Sequence, residues 1–380
     1  MPRLLRPTTF DAAALALSGA AAGGEAVRVL GGASKASWGG PVREPDVEIR
    51  TSHLDTLVEH NHGDLTAVLQ AGLPLARAQE KFAAAGQMLA IDPWLGAQRE
   101  ATIGGVIATA DSGPLRHRYG APRDLVVGIT VALSDGTIAR AGGKVIKNVA
   151  GYDLAKLFCG SFGTLGMILE VNVRLHPLPA QTATALGVSA DSEQLAAAAR
   201  RLTGAPLELE ALDVAWRAGR GGILAQCGGV AASARAERVA GLMRELGLEQ
   251  VNVTADDAEL WARQRAGQRS SDAALVRVSC RPSRLGAVLS AAERCGATVV
   301  GRAAIGLSFI ELDPGALTEL LGLLPAPAGA VLSDGPVELR ERVSVWGDRT
   351  SDSAIELMRR VKVRFDPAGA CNPGAFVGGI

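Results

Sequence analysis

Residues Arg116-His117-Arg118-Tyr119 place two guanidinium groups, an imidazole and a phenol in one short run. Two arginines can hold a carboxylate in forked contacts, and a histidine can take up a proton near neutral pH. A solvated basic loop or a partner-binding edge is the other reading of the same residues, and the sequence leaves both open. Lys144, Lys147, Asn148, Tyr152 and Asp153 present the same choice, and we assign them first to shaping a ligand pocket and second to catalysis. The histidines are His53, His60, His62, His117 and His176. His60 and His62 share a loop with no third ligand type beside them, so no metal site is expected. Cys159, Cys227, Cys280, Cys295 and Cys371 form no C-x-x-C pair, which excludes a recognisable iron–sulfur or zinc ligand set. They read as reduced, mostly buried thiols.

Three runs of glycine-marked backbone imply a bulky flat or phosphorylated ligand. Gly160, Gly163 and Gly166 recur at three-residue intervals, where a missing Cβ permits a sharp bend or close approach to a ligand. Upstream stands Ala101-Thr102-Ile103-Gly104-Gly105-Val106-Ile107-Ala108-Thr109-Ala110-Asp111-Ser112-Gly113, and before it Leu30-Gly31-Gly32-Ala33-Ser34-Lys35. The turn from Gly31 to Lys35 can form a nest of backbone N–H groups for a pyrophosphate, with the Ser34 hydroxyl and Lys35 ammonium as added donors. A tight turn with helix entry is the plain alternative for Gly104-Gly105. No G-x-G-x-x-G fingerprint occurs, so a nicotinamide cofactor is not indicated.

Taken together, G-G-x-[ST]-K, A-T-I-G-G-x-x-A and the run ending G-S-x-G-T-L-G resemble the FAD-binding domain of the vanillyl-alcohol oxidase or PCMH type. K-N-V-A-G-Y-D-L and the closing F-D-P-A-G-A-C-N-P-G are similar to the FAD-binding subunit of bacterial glycolate oxidase. The resemblance covers residues 1 to 178 and about 335 to 380. It implies non-covalent FAD, since no histidine occupies the first glycine loop where covalently flavinylated relatives often carry one. The implied cofactor contacts are Leu30, Gly31, Gly32, Ala33, Ser34 and Lys35 in the first loop, then Thr102, Ile103, Gly104, Gly105, Ala108 and Ser112 in the second. Tyr119, Asn148 and Tyr152 follow, then Gly163, Gly166, Met167 and Ile168, and finally Asn372 in a tail expected to close over the flavin. For catalysis on a 2-hydroxy acid such as glycolate or D-lactate, the candidates are Arg116, His117 and Arg118. Related catalytic subunits carry later histidines arranged for a metal, and this chain has none after His176. The implied partners are a catalytic flavoprotein subunit and an iron–sulfur subunit. A free-standing FAD-dependent dehydrogenase and a non-catalytic flavin-binding scaffold are the alternatives.

Lys+Arg and Asp+Glu both number 39, so no basic field exists to hold nucleic acid or an anionic membrane. No apolar run reaches the ~20 residues of a membrane span, and the N-terminal segment with Asp11 reads as a helix rather than a signal peptide. A cytoplasmic protein is expected, peripheral at the inner membrane face at most and only through partners.

The elements that must position these residues follow from the apolar pattern. The first region reads as helix 10–19, strands 27–30, 47–51 and 65–70, helix 74–85 and strand 88–91. Strand 124–133 then turns through Asp135-Gly136 into 138–141, helix 153–158 is capped by Asp153, and strand 167–175 closes the region. From Ala183 the pattern becomes a repeated strand-helix-strand-strand-helix, with helix 255–267 between the copies. Trp261 with Arg263 and Arg265 is similar to a W-x-R element of cap domains, although Trp on an amphipathic helix is usually core. The expected fold is α+β: a two-lobe PCMH-type FAD-binding domain over 1–178, an antiparallel-sheet α+β cap over 179–335 and a C-terminal arm over 336–380 returning to the first domain.

Overall fold

The computed structural model describes residues 1–144, 153–269, 272–347 and 350–380. The chain forms two compact units. The first comprises Met1–Ser112, Gly120–Leu178 and Asp348–Ile380, and the second Gly113–Tyr119 and Pro179–Gly347.

The first unit has two lobes. In one, strand Val47–Arg50 lies between Arg3–Leu5 and Val27–Leu30, parallel to both. Helix Phe10–Ala22 starts where the Thr9 side chain accepts the Ala12 N–H, and it buries Ala13, Ala14, Leu17, Ala20 and Ala21. Small residues on that face let the helix sit close to the strands. The second lobe is a five-stranded antiparallel sheet in the order Leu57–Asn61, Thr66–Gln70, Met167–Arg174, Val126–Ala132, Ile138–Gly142. Ala132, Met167 and Leu169 join the helix and the parallel strands in one apolar core. The architecture agrees with the expected α+β class.

The second unit is one eight-stranded antiparallel sheet built from two similar halves. The first half runs Thr182–Ser189, helix Ser192–Thr203, Ala211–Arg217, Arg220–Gly228, helix Ala232–Glu245, Glu249–Thr254. The second runs Ala274–Ser279, helix Leu285–Arg294, Thr298–Arg302, Leu307–Leu312, helix Leu317–Leu323, Gly329–Asp334. Each half is a split βαβ arrangement with its strands in the spatial order fourth, first, third, second, and the halves join where Ala211–Arg217 pairs with Thr298–Arg302. The strand-helix-strand-strand-helix pattern thus ends in a closing strand in both copies. Alternating strand residues send Leu212, Val214, Trp216, Ile223 and Ala225 to the helix-covered face. On the opposite face Trp261 packs with Ala211 and Leu224. Its indole N–H donates to Thr184 Oγ1 at 2.8 Å, which fixes helix Ala258–Ala266 there. On that face too, Arg302 and Asp213 form an ion pair with both side chains almost completely excluded from solvent.

Several local expectations shift. His60 lies within strand Leu57–Asn61 rather than in a loop. Of the strand expected over 88–91, only Gln87–Met88 is paired, with His176–Pro177. The helix near residue 153 spans Ala155–Phe158 and has no side-chain cap, while Asp153 forms an ion pair with Lys156 at 3.0 Å. Among the described residues no helix is long and apolar enough to cross a membrane.

Candidate functional site

A cleft of about 860 Å³, its open mouth included, lies in the first unit, and every lining residue belongs to that unit. Strand Val27–Leu30 delivers its first wall. Beyond Leu30 the backbone presses against the entry of helix Ile103–Thr109. A Cβ on Gly31 would stand 2.0 Å from Thr102 Oγ1, and one on Gly32 would stand 1.8 Å from the Glu100 carbonyl oxygen. Only glycine permits that approach. The helix entry supplies the second wall. Thr102 caps it by accepting the Gly105 N–H at 3.4 Å. The Ile103 and Gly104 N–H groups donate to the Leu73 and Ala71 carbonyls at 2.9 and 2.8 Å. The third wall is the glycine loop with Phe162, Gly163, Gly166 and Ile168, and the tail adds Asn372 and Ala375.

All three expected bends therefore meet. Leu30, Gly31, Gly32, Ala33, Ser34 and Lys35 line the cleft, as do Thr102, Gly104, Gly105 and Ala108, then Gly163, Gly166, Ile168 and Asn372. Ile103 and Met167 are buried in the protein interior instead, and Ser112 is buried away from the cleft wall. Met167 and Ile168 differ because successive strand residues face opposite sides. Asn148, Tyr152 and Lys147 lie outside the described residues. Lys144 forms an ion pair with Glu59. Arg28, Trp38, Thr51, Ala71, Thr109 and Phe162 line the cleft without having been expected. The alternation of strand Val27–Leu30 marks Arg28, but only long-range pairing reveals the others.

Lys35 is not simply a donor waiting for an anion. Its ammonium stands 3.4 Å from the Asp111 carboxylate, with both side chains buried. The pair ties the first loop to the segment leaving helix Ile103–Thr109. The tail is tied as well. Asn372 Nδ2 donates to the Phe162 carbonyl at 2.6 Å, while its Oδ1 is buried without a donor. An orphaned acceptor on a residue of the cleft wall, beside glycine backbone and the rings of Trp38 and Phe162, fits a large, flat ligand bearing N–H groups.

The Arg116–Tyr119 turn belongs to the second unit. Arg118 contacts one oxygen of Glu210 at 3.1 Å, and the Tyr119 hydroxyl donates to the other at 2.7 Å. Burial, then the Glu210 hydrogen bond and charge, push the Tyr119 phenol above its ordinary range. His117 has a buried Nδ1 without a partner, and burial followed by the Arg118 charge lowers its pKa. Arg118 and Tyr119 are thus engaged by one carboxylate.

His60 and His62 hydrogen-bond each other at 3.0 Å, and His60 Nε2 lies 2.9 Å from Gln87 Oε1. Among the described residues no cluster of His, Cys, Asp or Glu has the makings of a metal site. No disulfide forms, and burial pushes the Cys159 thiol up to about 12.

Residues 2–142 match the family described as FAD binding domain, and residues 342–376 match FAD linked oxidases, C-terminal domain. The first of these matches gives the chain an FAD-binding domain, and its cofactor is FAD. It is similar to glycolate oxidase subunit GlcE of Escherichia coli, 36% identical over 151 residues, covering 40% of this chain and 42% of that protein. Glycolate oxidase subunit GlcD of Bacillus subtilis is 39% identical over 168 residues, covering 42% and 34%. The match thus spans less than half of either glycolate oxidase subunit. An uncharacterized FAD-linked oxidoreductase of Mycobacterium tuberculosis, Rv2280, is 25% identical over 417 residues, covering 98% and 90%. Among solved structures an alkyldihydroxyacetonephosphate synthase shares the fold with a TM-score of 0.70 at 14% identity, covering 97% of this chain and 76% of that one.

Proposed function

We propose that this chain is the FAD-binding subunit of a glycolate oxidase or related 2-hydroxy-acid dehydrogenase, holding FAD non-covalently and oxidising glycolate or D-lactate to the 2-oxo acid with partner subunits. The observation that carries the reading is the convergence of Gly31–Lys35, Thr102–Thr109 and Gly163–Ile168 on one cleft closed by Asn372. The likeness to two glycolate oxidase subunits supports the substrate class. In this reading the first unit is the FAD-binding domain, the second is the cap, and the C-terminal stretch completes the cofactor site. The cleft residues named above are the FAD contacts, with Tyr119, Asn148 and Tyr152 retained from the sequence.

Bound FAD supplies a hydride acceptor for a carbon bearing a hydroxyl. The chain's own residues orient and shield the cofactor, and His117, held neutral by burial, takes the hydroxyl proton. Arg116 and Arg118 are the candidates to meet the carboxylate. A catalytic flavoprotein subunit and an iron–sulfur subunit carry the electrons onward, and the complex works in the cytoplasm, meeting the inner membrane face only through those partners. The engagement of Arg118 and Tyr119 by Glu210 favours one second reading, a flavin-binding subunit that does not turn over by itself.

The chain is purified alone and its visible spectrum recorded, and glycolate or D-lactate is added without oxygen. Flavin released by heat or acid supports non-covalent FAD, and flavin remaining on the denatured chain refutes it. Rapid bleaching identifies a free-standing dehydrogenase. An oxidised spectrum that persists for hours, then bleaches once the partner subunits are added, identifies the subunit, and failure to bleach under either condition leaves the scaffold reading.

A further inference from the structure

The last turn of helix Asp352–Phe365 carries a lysine whose three N–H groups all have acceptors. Lys362 Nζ donates to Asp366 Oδ2 at 2.6 Å, to the Thr164 carbonyl at 2.7 Å and to the Cys371 carbonyl at 2.8 Å. An ammonium has three donors and no more, so this one is saturated. Its acceptors lie in three places: the helix end, the glycine loop that walls the cleft, and the tail loop after the helix. Asp366 in turn accepts the Ala370 N–H at 3.2 Å and the Cys371 N–H at 2.8 Å. The loop is next laid along the first wall. The Val27 N–H donates to Ala370 O and the Asn372 N–H to Val27 O, both at 2.8 Å. At the end of this chain of contacts stands Asn372, with φ of 46°.

Asn372 Nδ2 donates to Phe162 O, two residues before the carbonyl that Lys362 holds. That contact fixes the sense of the amide, because turning it over would set an oxygen against a carbonyl oxygen. Its Oδ1 is buried without a donor, and the residue that carries it lines the cleft. A buried acceptor without a partner is destabilising, and a ligand N–H would relieve it.

We propose that Asn372 Oδ1 accepts an N–H of bound FAD and that Lys362 is the positioning residue that holds it there, by clamping the tail loop to the glycine loop. The inference rests on the flavin reading and assigns the acceptor and its support. Lys362 does not touch the cofactor and acts only through Asn372.

The test is FAD affinity of the full-length apoprotein, read by quenching of flavin fluorescence, beside the apoprotein's circular dichroism and melting point. Asn372→Ala is expected to weaken FAD about five- to tenfold, the loss of one hydrogen bond. Lys362→Met is expected to weaken it at least as much. The double variant is expected to bind no more weakly than Lys362→Met, because the two losses share one contact. Wild-type affinity in folded Lys362→Met, or losses that multiply in the double variant, would overturn the positioning role. Should Lys362→Met fail to fold, Asn372→Ala decides alone, since it leaves the lysine's acceptors in place, and unchanged affinity there overturns the proposal. Wild-type protein that binds no FAD would instead sink the flavin reading.

Discussion

The Tyr119 hydroxyl donates to the Glu210 carboxylate at 2.7 Å, and with Arg118 on the other oxygen it fastens the turn to strand residues far along the chain. Glu210 is nearly fully buried, so this is a desolvated, charge-assisted contact rather than a surface pair. Tyr119→Phe is expected to lower stability by about 1.5–3 kcal/mol in urea titrations. The sequence has only two tyrosines, Tyr119 and Tyr152, so ultraviolet titration can follow the phenol directly. Glu210→Gln should bring the raised Tyr119 titration back toward the ordinary 10, and an unmoved titration would refute the assignment.

His117 carries a pH dependence of definite sign. Burial, then the Arg118 charge, lowers its pKa from the ordinary 6.5, so the fold favours the neutral imidazole. The folded state binds a proton less readily than the unfolded one. Its stability contribution is complete above 6.5 and declines as pH falls below it. Denaturation midpoints measured between pH 7.5 and 5.5 should fall in wild type, and that slope should flatten in His117→Gln.

Gly32→Ala would set a methyl group 1.8 Å from a backbone oxygen, which a rotamer change cannot relieve. Overpacking of this kind costs about 1–3 kcal/mol, and here it must separate two cleft walls. Loss of bound flavin together with a lower melting point is expected. Gly241 is the internal control, in helix Ala232–Glu245 with nothing near its missing Cβ. Gly241→Ala should raise stability by about 0.5–1 kcal/mol and leave the flavin unchanged.

Arg302 and Asp213 join the halves of the eight-stranded sheet in cross-strand register. Arg302→Met would remove the cation that faces a buried carboxylate, at an expected cost of about 3–5 kcal/mol by denaturant unfolding. Adding Asp213→Leu should recover much of that loss, because an apolar pair of similar volume replaces a desolvated ionic one. A double variant as unstable as the single would show that the pair has another essential role.

How far the sequence could be read depends on the range of the interaction. Helix Phe10–Ala22 and strand Val27–Leu30 follow from local periodicity and turn residues, and the bends at Gly31, Gly104 and Gly163 announce themselves by composition. The face on which Met167 or Ile168 lies is a question of phase, which pairing with Thr66–Gln70 and Val126–Ala132 settles. The Glu210 contact was out of reach, because it joins Tyr119 to a residue 91 positions further along the chain, which no local pattern links to it. The closing strands Glu249–Thr254 and Gly329–Asp334 are short and half polar, so they gain definition only from their neighbours.

Those two closing strands are also the outer margins of the eight-stranded sheet, and they end it differently. Glu249–Thr254 presents mostly polar side chains, whereas beside the more apolar Gly329–Asp334 the Leu332 N–H is taken by the Val345 carbonyl at 2.8 Å. One border is thus guarded by polar side chains and the other by the chain's own continuation, so a foreign peptide could lengthen the sheet at the second border only by peeling back residues around 345. Growth into fibres is thereby discouraged without a dedicated protective segment.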